Sequence, residues 1–196
     1  MTIGVVAYQG DFGRHLSHLR QIDVTAREVR TVPDLEQCDG VIVPGGESTT
    51  IGMLLDRFGL LSRLRTRITE GFPVFGTCAG AILLADRIED SDQPRIGGLP
   101  MSVKRNDYGR QIASFEAQAT ILDPALAADG GEMMEAVFIR APRIVATEHS
   151  VTELLRFEND PVGVRWENLL AATFHSELTP DLRLHRYFVS QLVRHA

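Results

Sequence analysis

The chain has 196 residues, of which 44% are hydrophobic and 23% charged, with a formal net charge of −6. This balance belongs to a globular protein with a sizeable buried core and excludes disorder. The acidic balance disfavours a nucleic-acid partner, which requires a basic face, and no apolar run approaches the ~20 residues that span a bilayer, so no membrane association is expected.

Met1–Val6 reads directly as a strand, without the basic segment and cleavage site of a secretory signal, so a cytoplasmic setting is expected. Ile3–Tyr8 forms a buried strand, followed by a turn at Gly10-Asp11 and a helix carrying Leu16, Leu19 and Ile22. Val24–Val29 and Gly40–Val43 are further strands, the latter ended by Pro44-Gly45-Gly46. Helical patterns cover Thr49–Phe58 and Leu61–Glu70, and Pro73–Phe75 is another core strand. The second half is richer in strands, with Met101–Lys104, Ser114–Ile121, Ala136–Ile139, Ile144–Ala146, Val162–Trp166 and Leu169–Phe174 as candidates. Leu182–Val193 closes the chain as a helix, and loops around Asp90–Gly98 and Asp123–Gly131 are the expected flexible segments. The alternation predicts an α/β fold over residues 1–196: a single three-layer, flavodoxin-like domain with a mostly parallel central sheet.

The segment Phe72-Pro73-Val74-Phe75-Gly76-Thr77-Cys78-Ala79-Gly80-Ala81-Ile82-Leu83-Leu84 carries the sharpest signal. An apolar strand runs through Gly-Thr-Cys-Ala-Gly into an apolar helix, the cysteine form of a nucleophile elbow. Gly76 and Gly80 relieve crowding in that turn. A helix N-terminus favours the thiolate of Cys78, and the Ala79 N–H is placed for an oxyanion. Cys38 has no such context and reads as a buried core residue; both cysteines are expected as free thiols. No spacing supports a metal site, and no cofactor is required.

Six histidines compete for the role of base. His15, His18, His185 and His195 lie on polar-rich helices and read as solvated, and His149 lies in a polar loop. His175 instead ends the apolar strand Leu169–Phe174, and Glu177 follows at i+2, on the same side of an extended segment. A carboxylate there can hold one ring nitrogen while the other faces the thiol. Val41–Thr50 supplies a strand, a glycine turn and a helix start, able to aim the Gly46 N–H at the same oxyanion.

Cys…His-x-Glu on such a chain resembles the class I glutamine amidotransferases. Ala7–Phe12, Pro44–Thr50, Gly76–Gly80, Lys104–Gln111, Phe138–Pro142 and Phe174–Thr179 together resemble, in order and over nearly the whole chain, the glutaminase subunits of pyridoxal 5′-phosphate synthases. The resemblance implies a Cys78–His175–Glu177 triad, with Gly46, Glu47, Ser48, Arg105, Ile139 and Arg140 lining a glutamine site. Glu47 suits an α-ammonium, and Arg105 or Arg140 an α-carboxylate. It implies hydrolysis of L-glutamine to L-glutamate and ammonia through a γ-glutamyl thioester, without metal or organic cofactor. It further implies a synthase subunit that receives the ammonia in a hetero-oligomer and builds pyridoxal 5′-phosphate from ribose 5-phosphate and glyceraldehyde 3-phosphate. The glutaminase would be nearly idle until docked, awaiting reorientation of the Gly45–Gly46 peptide. Two positions depart from the family pattern: Arg14 replaces the usual glutamate, and Ser176 the common proline between His and Glu. The alternatives are a glutaminase serving another synthase, such as that making imidazole glycerol phosphate, a cysteine peptidase or stress-type hydrolase on a related fold, and a non-catalytic regulatory module.

Overall fold

The computed structural model describes residues 1–107, 114–128 and 130–195, the side chain of 195 excepted. In the first half, β1 (Thr2–Val6), α1 (Phe12–Gln21), β2 (Thr25–Val29), α2 (Val32–Leu35) and β3 (Gly40–Val43) lead to α3 (Ser48–Arg57), α4 (Leu60–Thr69), β4 (Val74–Thr77) and α5 (Ala79–Leu84). Local chemistry starts these helices. Asp11 caps α1, Thr31 and Asp34 form a capping box on α2, and the Glu47 carboxylate caps α3 through Thr49 N and Thr50 N. Gly59, at φ 75, separates α3 from α4.

The second half contains β5 (Ala85–Ile88), β6 (Leu99–Lys104), β7 (Ser114–Ile121), α6 (Pro124–Ala127) and β8 (Met133–Ile139). It continues through β9 (Arg143–Thr147), β10 (Thr152–Phe157), β11 (Asp160–Trp166), β12 (Leu169–Ala172) and α7 (Arg183–Tyr187). Nine strands form one sheet in the order β2-β1-β3-β4-β12-β11-β10-β7-β8, and β5-β6-β9 form a smaller one. The pairings from β2 to β12 are parallel, and those from β12 to β8 antiparallel. The large sheet is therefore mixed, parallel only where helices alternate with strands.

Side-chain alternation divides the core between the two faces of the parallel half. Val41, Val43, Val74 and Ala171 pack with α3, α4 and α5. Ile42, Phe75, Leu170 and Ala172 face α1 and α7.

Several segments differ from the sequence-based expectation. β5 and β10 are strands the pattern did not announce: Ala85–Ile88 has buried residues only at its ends, and Thr152–Phe157 mixes charged and apolar residues. The closing helix is not one α-helix; α7 passes into a π turn at Phe188–Leu192 and a 3₁₀ turn at Val193–His195. The loop at 90–98 is anchored, with Ile96 N and Gly97 N donating to Leu83 O and with Gln93 buried. In the segment around 123–131, Pro124–Ala127 form α6. No helix among the described residues is long and apolar enough to cross a membrane.

The decisive packing lies where α5 leaves β4. A Cβ on Gly80 would stand 1.9 Å from Val43 O, and one on Gly76 would stand 2.5 Å from Gly80 C. Only glycine lets α5 lie this close to β3 and β4. Gly80→Ala is expected to cost about 3 kcal/mol, read as a fall in Tm of roughly 6–12 °C for a chain of this size. Gly131 also has a positive φ, +86, but an added Cβ there meets nothing within 4 Å. Gly131→Ala should cost only about 1 kcal/mol from backbone strain. Equal losses in a thermal melt of the two variants would refute the packing explanation.

Candidate active site

Three parallel strands deliver the site. β4 pairs with β3 on one side and β12 on the other, aligning Gly76 with Val43 and Thr77 with Ala172. The segments leaving their carboxyl ends carry Pro44–Gly46, Cys78 and His175, so residues distant in sequence meet at one edge of the sheet.

Cys78 occupies the turn between β4 and α5 with φ 48 and ψ −102, an uncommon conformation for a residue with a side chain. Cys78 N donates to Ala172 O at 2.8 Å, tying the turn to β12. Its Sγ lies 3.8 Å from Ile139 O. His175 is anchored from the antiparallel half, its N–H donating to Val137 O of β8 at 2.8 Å. His175 Nδ1 lies 2.7 Å from Glu177 Oε1, and Cys78 and His175 line the same cavity. Glu177 is wholly buried, while the His175 side chain keeps 13% of its surface exposed.

Burial alone would lower the His175 pKa, but its interactions with the neighbouring Cys78 and Glu177 outweigh it and raise the value well above that of free imidazole. Burial would likewise raise the Glu177 pKa. The facing nitrogens of His15 and His175 instead hold it well below the usual carboxylate range.

A cavity of about 140 Å³ opens over the thiol. Of the ten residues expected at the site, Gly46, Glu47, Ser48, Cys78, Arg105, Ile139, Arg140 and His175 line it, joined by Ile82 and Asn106. Glu177 lies behind His175, and Ala79 begins α5. Cys78, Asn106 and Arg140 have φ of 48, 52 and 45, so three strained side-chain-bearing residues converge on this rim. Residues 108–111 of the motif at 104–111 lie outside the described residues.

Glu47 and Arg105 meet each other as well as the cavity, with Arg105 Nη2 3.0 Å from Glu47 Oε1. Burial raises the Glu47 pKa, but donors on Thr50 and Thr49 prevail and pull it down to about 2. Arg105 Nη1 also donates to Thr49 Oγ1 at 3.1 Å and to Gln93 Oε1 at 2.7 Å. The buried Ser48 hydroxyl donates to the same Gln93 oxygen at 3.1 Å. Gln93 was absent from the sequence-based site because it lies in an unpatterned loop far from the recognised strings.

The histidines require a correction. His15, His18 and His185 are not solvated: they are 0%, 6% and 0% exposed. In α1, His15 and His18 share the buried face with Leu16 and Leu19. His15 Nδ1 lies 2.9 Å from His185 Nε2, and His15 Nε2 lies 3.2 Å from Thr77 Oγ1 and 3.3 Å from Glu177 Oε2. Their positions relative to Leu16, Leu19 and Leu184 carried the missing signal. The side chain of His195 lies outside the described residues.

Gly45 sits directly on the His175 ring; a Cβ there would lie 2.3 Å from His175 Cε1. Gly46 has φ +145. The next amide, Glu47 N, donates to Gln9 Oε1 at 2.9 Å.

Residues 5–194 match the model of the SNO glutamine amidotransferase family. The chain is 48% identical over 194 residues to the Pyridoxal 5′-phosphate synthase subunit PdxT of Carboxydothermus hydrogenoformans, covering 99% of each. It is 47% identical over 192 residues to the protein of the same name from Thermotoga maritima, covering 98% of this chain and 100% of that one. A crystal structure described as a glutamine amidotransferase superposes with a TM-score of 0.90 at 44% identity, covering 98% of both chains.

The depressed Glu177 value fixes a pH dependence. Between the folded value and the ordinary value near ~4.3, the unfolded chain binds the proton and the folded chain does not, so stability rises with pH. The contribution is complete above the ordinary value and is lost as pH falls toward the folded one. The urea midpoint of the wild type should therefore fall more between about pH 6 and about pH 3.5 than that of Glu177→Gln. Parallel falls would show that the buried carboxylate is not the group responsible.

Proposed function

The chain belongs to the SNO glutamine amidotransferase family, and on that premise we propose that it hydrolyses L-glutamine and delivers the ammonia to a pyridoxal 5′-phosphate synthase subunit. The observation that carries this reading is the alignment of Cys78, His175 and Glu177 at the floor of a cavity rimmed by one carboxylate and two guanidinium groups. The whole chain acts as one glutaminase unit.

In this reaction Cys78 sulfur attacks the γ-amide carbon of glutamine, His175 having taken the thiol proton. The N–H groups of Ala79 and Gly46 receive the oxyanion. His175 passes its proton to the departing nitrogen, ammonia leaves, and a γ-glutamyl thioester remains. Water then attacks the thioester carbon while His175 accepts its proton, and glutamate departs as the thiol is restored. Every proton has a carrier in the chain, so the sequence of steps balances without a metal or organic cofactor.

Charge at the rim selects the amino-acid end. Glutamine brings an ammonium and a carboxylate, and Glu47 with Arg105 presents the complementary pair already joined. Substrate would insert into that ion pair rather than meet two free charges, with Arg140 as the second guanidinium. Gln93 and Thr49 keep Arg105 in place when its Glu47 contact is shared.

The Gly46 donor depends on a backbone that only glycine adopts readily. Turning the Gly45–Gly46 peptide over completes the oxyanion hole, and docking of the synthase provides the free energy for that turn. Ammonia then passes to the synthase without reaching solvent, where protonation would make it unreactive. This reading places the complex in the cytoplasm and involves neither nucleic acid nor membrane.

Glutamate release from glutamine, measured with and without the synthase, tests both parts. Wild type should be active chiefly with synthase present, and Cys78→Ala should fall to background in both conditions. Persistent activity in the variant would overturn the cysteine chemistry, and an unchanged wild-type rate on adding synthase would overturn the docking switch. Arg105→Gln should raise KM about tenfold or more, the loss of one charge-assisted contact of about 1.5–3 kcal/mol, with kcat less affected. A defect confined to kcat would count against a role for Arg105 in holding substrate.

A further inference from the structure

The far side of Glu177 is closed by groups that the proposed reaction does not use. Oε1 faces His175, while Oε2 is buried, and the nitrogen brought to it is His15 Nε2 at 3.3 Å. The same nitrogen hydrogen-bonds Thr77 Oγ1 at 3.2 Å, and its approach to the carboxylate is an ion-pair contact. Oε2 has no aligned hydrogen bond of its own among the described residues.

Protonation states follow from the surroundings. An unprotonated Nε2 on His15 would set its lone pair against a buried carboxylate, so Nε2 carries the hydrogen. His15 Nδ1 faces His185 Nε2 at 2.9 Å, and one of the two must donate. His185 is fully buried; burial, then the neighbouring His15 and His18, hold it neutral. If His185 Nε2–H donates to His15 Nδ1, only an acceptor, His185 Nδ1, is left without a partner. The reverse assignment would orphan a buried N–H, the costlier arrangement. His185 therefore fixes the tautomer of His15, and His15 presents a hydrogen to Glu177.

We propose that His15 is a positioning residue for the glutaminase reaction, its Nε2–H holding Glu177 Oε2 so that the carboxylate meets His175 Nδ1 in a single orientation. This rests on the proposed function above. His15 touches no substrate; it acts through Glu177, as Glu177 acts through His175. Glu177 faces His175 and, beyond it, Cys78 on one side. His15, His18 and His185 face it on the other, with Arg14 and Asp181 nearer to His18. Among them His15 alone brings a nitrogen within ion-pair distance of Oε2.

Two polar replacements separate positioning from packing. The amide nitrogen of glutamine reaches the place of Nε2 in histidine, whereas asparagine reaches only the place of Nδ1. His15→Gln keeps a donor toward Glu177, and His15→Asn loses it while retaining the contact to His185. The probe is the rate of iodoacetamide alkylation of Cys78 against pH, followed by mass spectrometry of the peptide containing it. Without its donor, Glu177 is no longer held toward His175, protonated His175 loses part of its support, and the acid-side inflection of the thiol rate moves upward. The shift should be about one pH unit in His15→Asn and near zero in His15→Gln. In the complex with synthase, kcat for glutamate release should fall about 10- to 100-fold in His15→Asn, by analogy with the loss of partners that orient metal-ligating histidines. KM should hold.

Coincident alkylation profiles for folded wild type and His15→Asn would overturn the inference, as would a His15→Gln variant shifted as far as His15→Asn. Should His15→Asn fail to fold, His15→Leu removes the same donor without burying an amide. If wild type with synthase releases no glutamate, the proposed function fails, while the alkylation profiles still decide the role of His15.

Discussion

The parallel pairing of β12 with β4 is the constraint on which the rest of the molecule depends. Cys78 N can donate to Ala172 O only if β12, the last strand in the chain, returns beside β4 in one register. A slip by one residue would turn every side chain of β12 to the opposite face, exchanging Ala171 and Ala172 between the two core layers. It would also point His175 away from the thiol. Hydrophobic sorting on both faces therefore specifies how Cys78 and His175 are placed, and no interaction between thiol and imidazole is needed to bring them together.

The antiparallel strands have a different part. β11, β10, β7 and β8 extend the sheet beyond β12, and their contribution is to hold what β12 delivers. Val137 O fixes the His175 backbone, and the end of β8 brings Ile139 O to the sulfur and Arg140 to the rim. The parallel half thus creates the meeting of residues, and the antiparallel half limits how they move. Behind them, the buried carboxylate is affordable because histidine nitrogens face it: His175 is hydrogen-bonded to one oxygen, and His15 lies at ion-pair distance from the other. An ionised carboxylate without them would carry a desolvation cost of several kcal/mol.

Legibility in the sequence followed the range of each signal. The strand–Gly-Thr-Cys-Ala-Gly–helix segment and the His-x-Glu spacing are local, and so are the caps and apolar runs of the parallel half. These were readable without a structure. β10 was not, because Glu153 and Arg156 interrupt its apolar residues and its partners lie far along the chain. The mixed character of the sheet escaped for the same reason. His15, His18 and His185 were misread as solvated because polar neighbours dominate their helices. Their partners, Thr77, Glu177 and one another, come from segments that only the folded sheet assembles. Gln93 was hidden in a loop, with nothing in its surroundings to mark it.

The two adjacent glycines of the loop after β3 answer to different demands. Gly46 is needed for its dihedral angle, whereas Gly45 is needed because the face of the His175 imidazole occupies the place where a side chain would begin. The loop and the ring thus share one contact surface, with no layer of solvent between them. Motion of the loop is felt by the imidazole as a change in steric pressure on its face, and a tilt of the ring presses back on the loop. The element proposed to finish the oxyanion hole and the group proposed to move the protons therefore lie against each other across one surface.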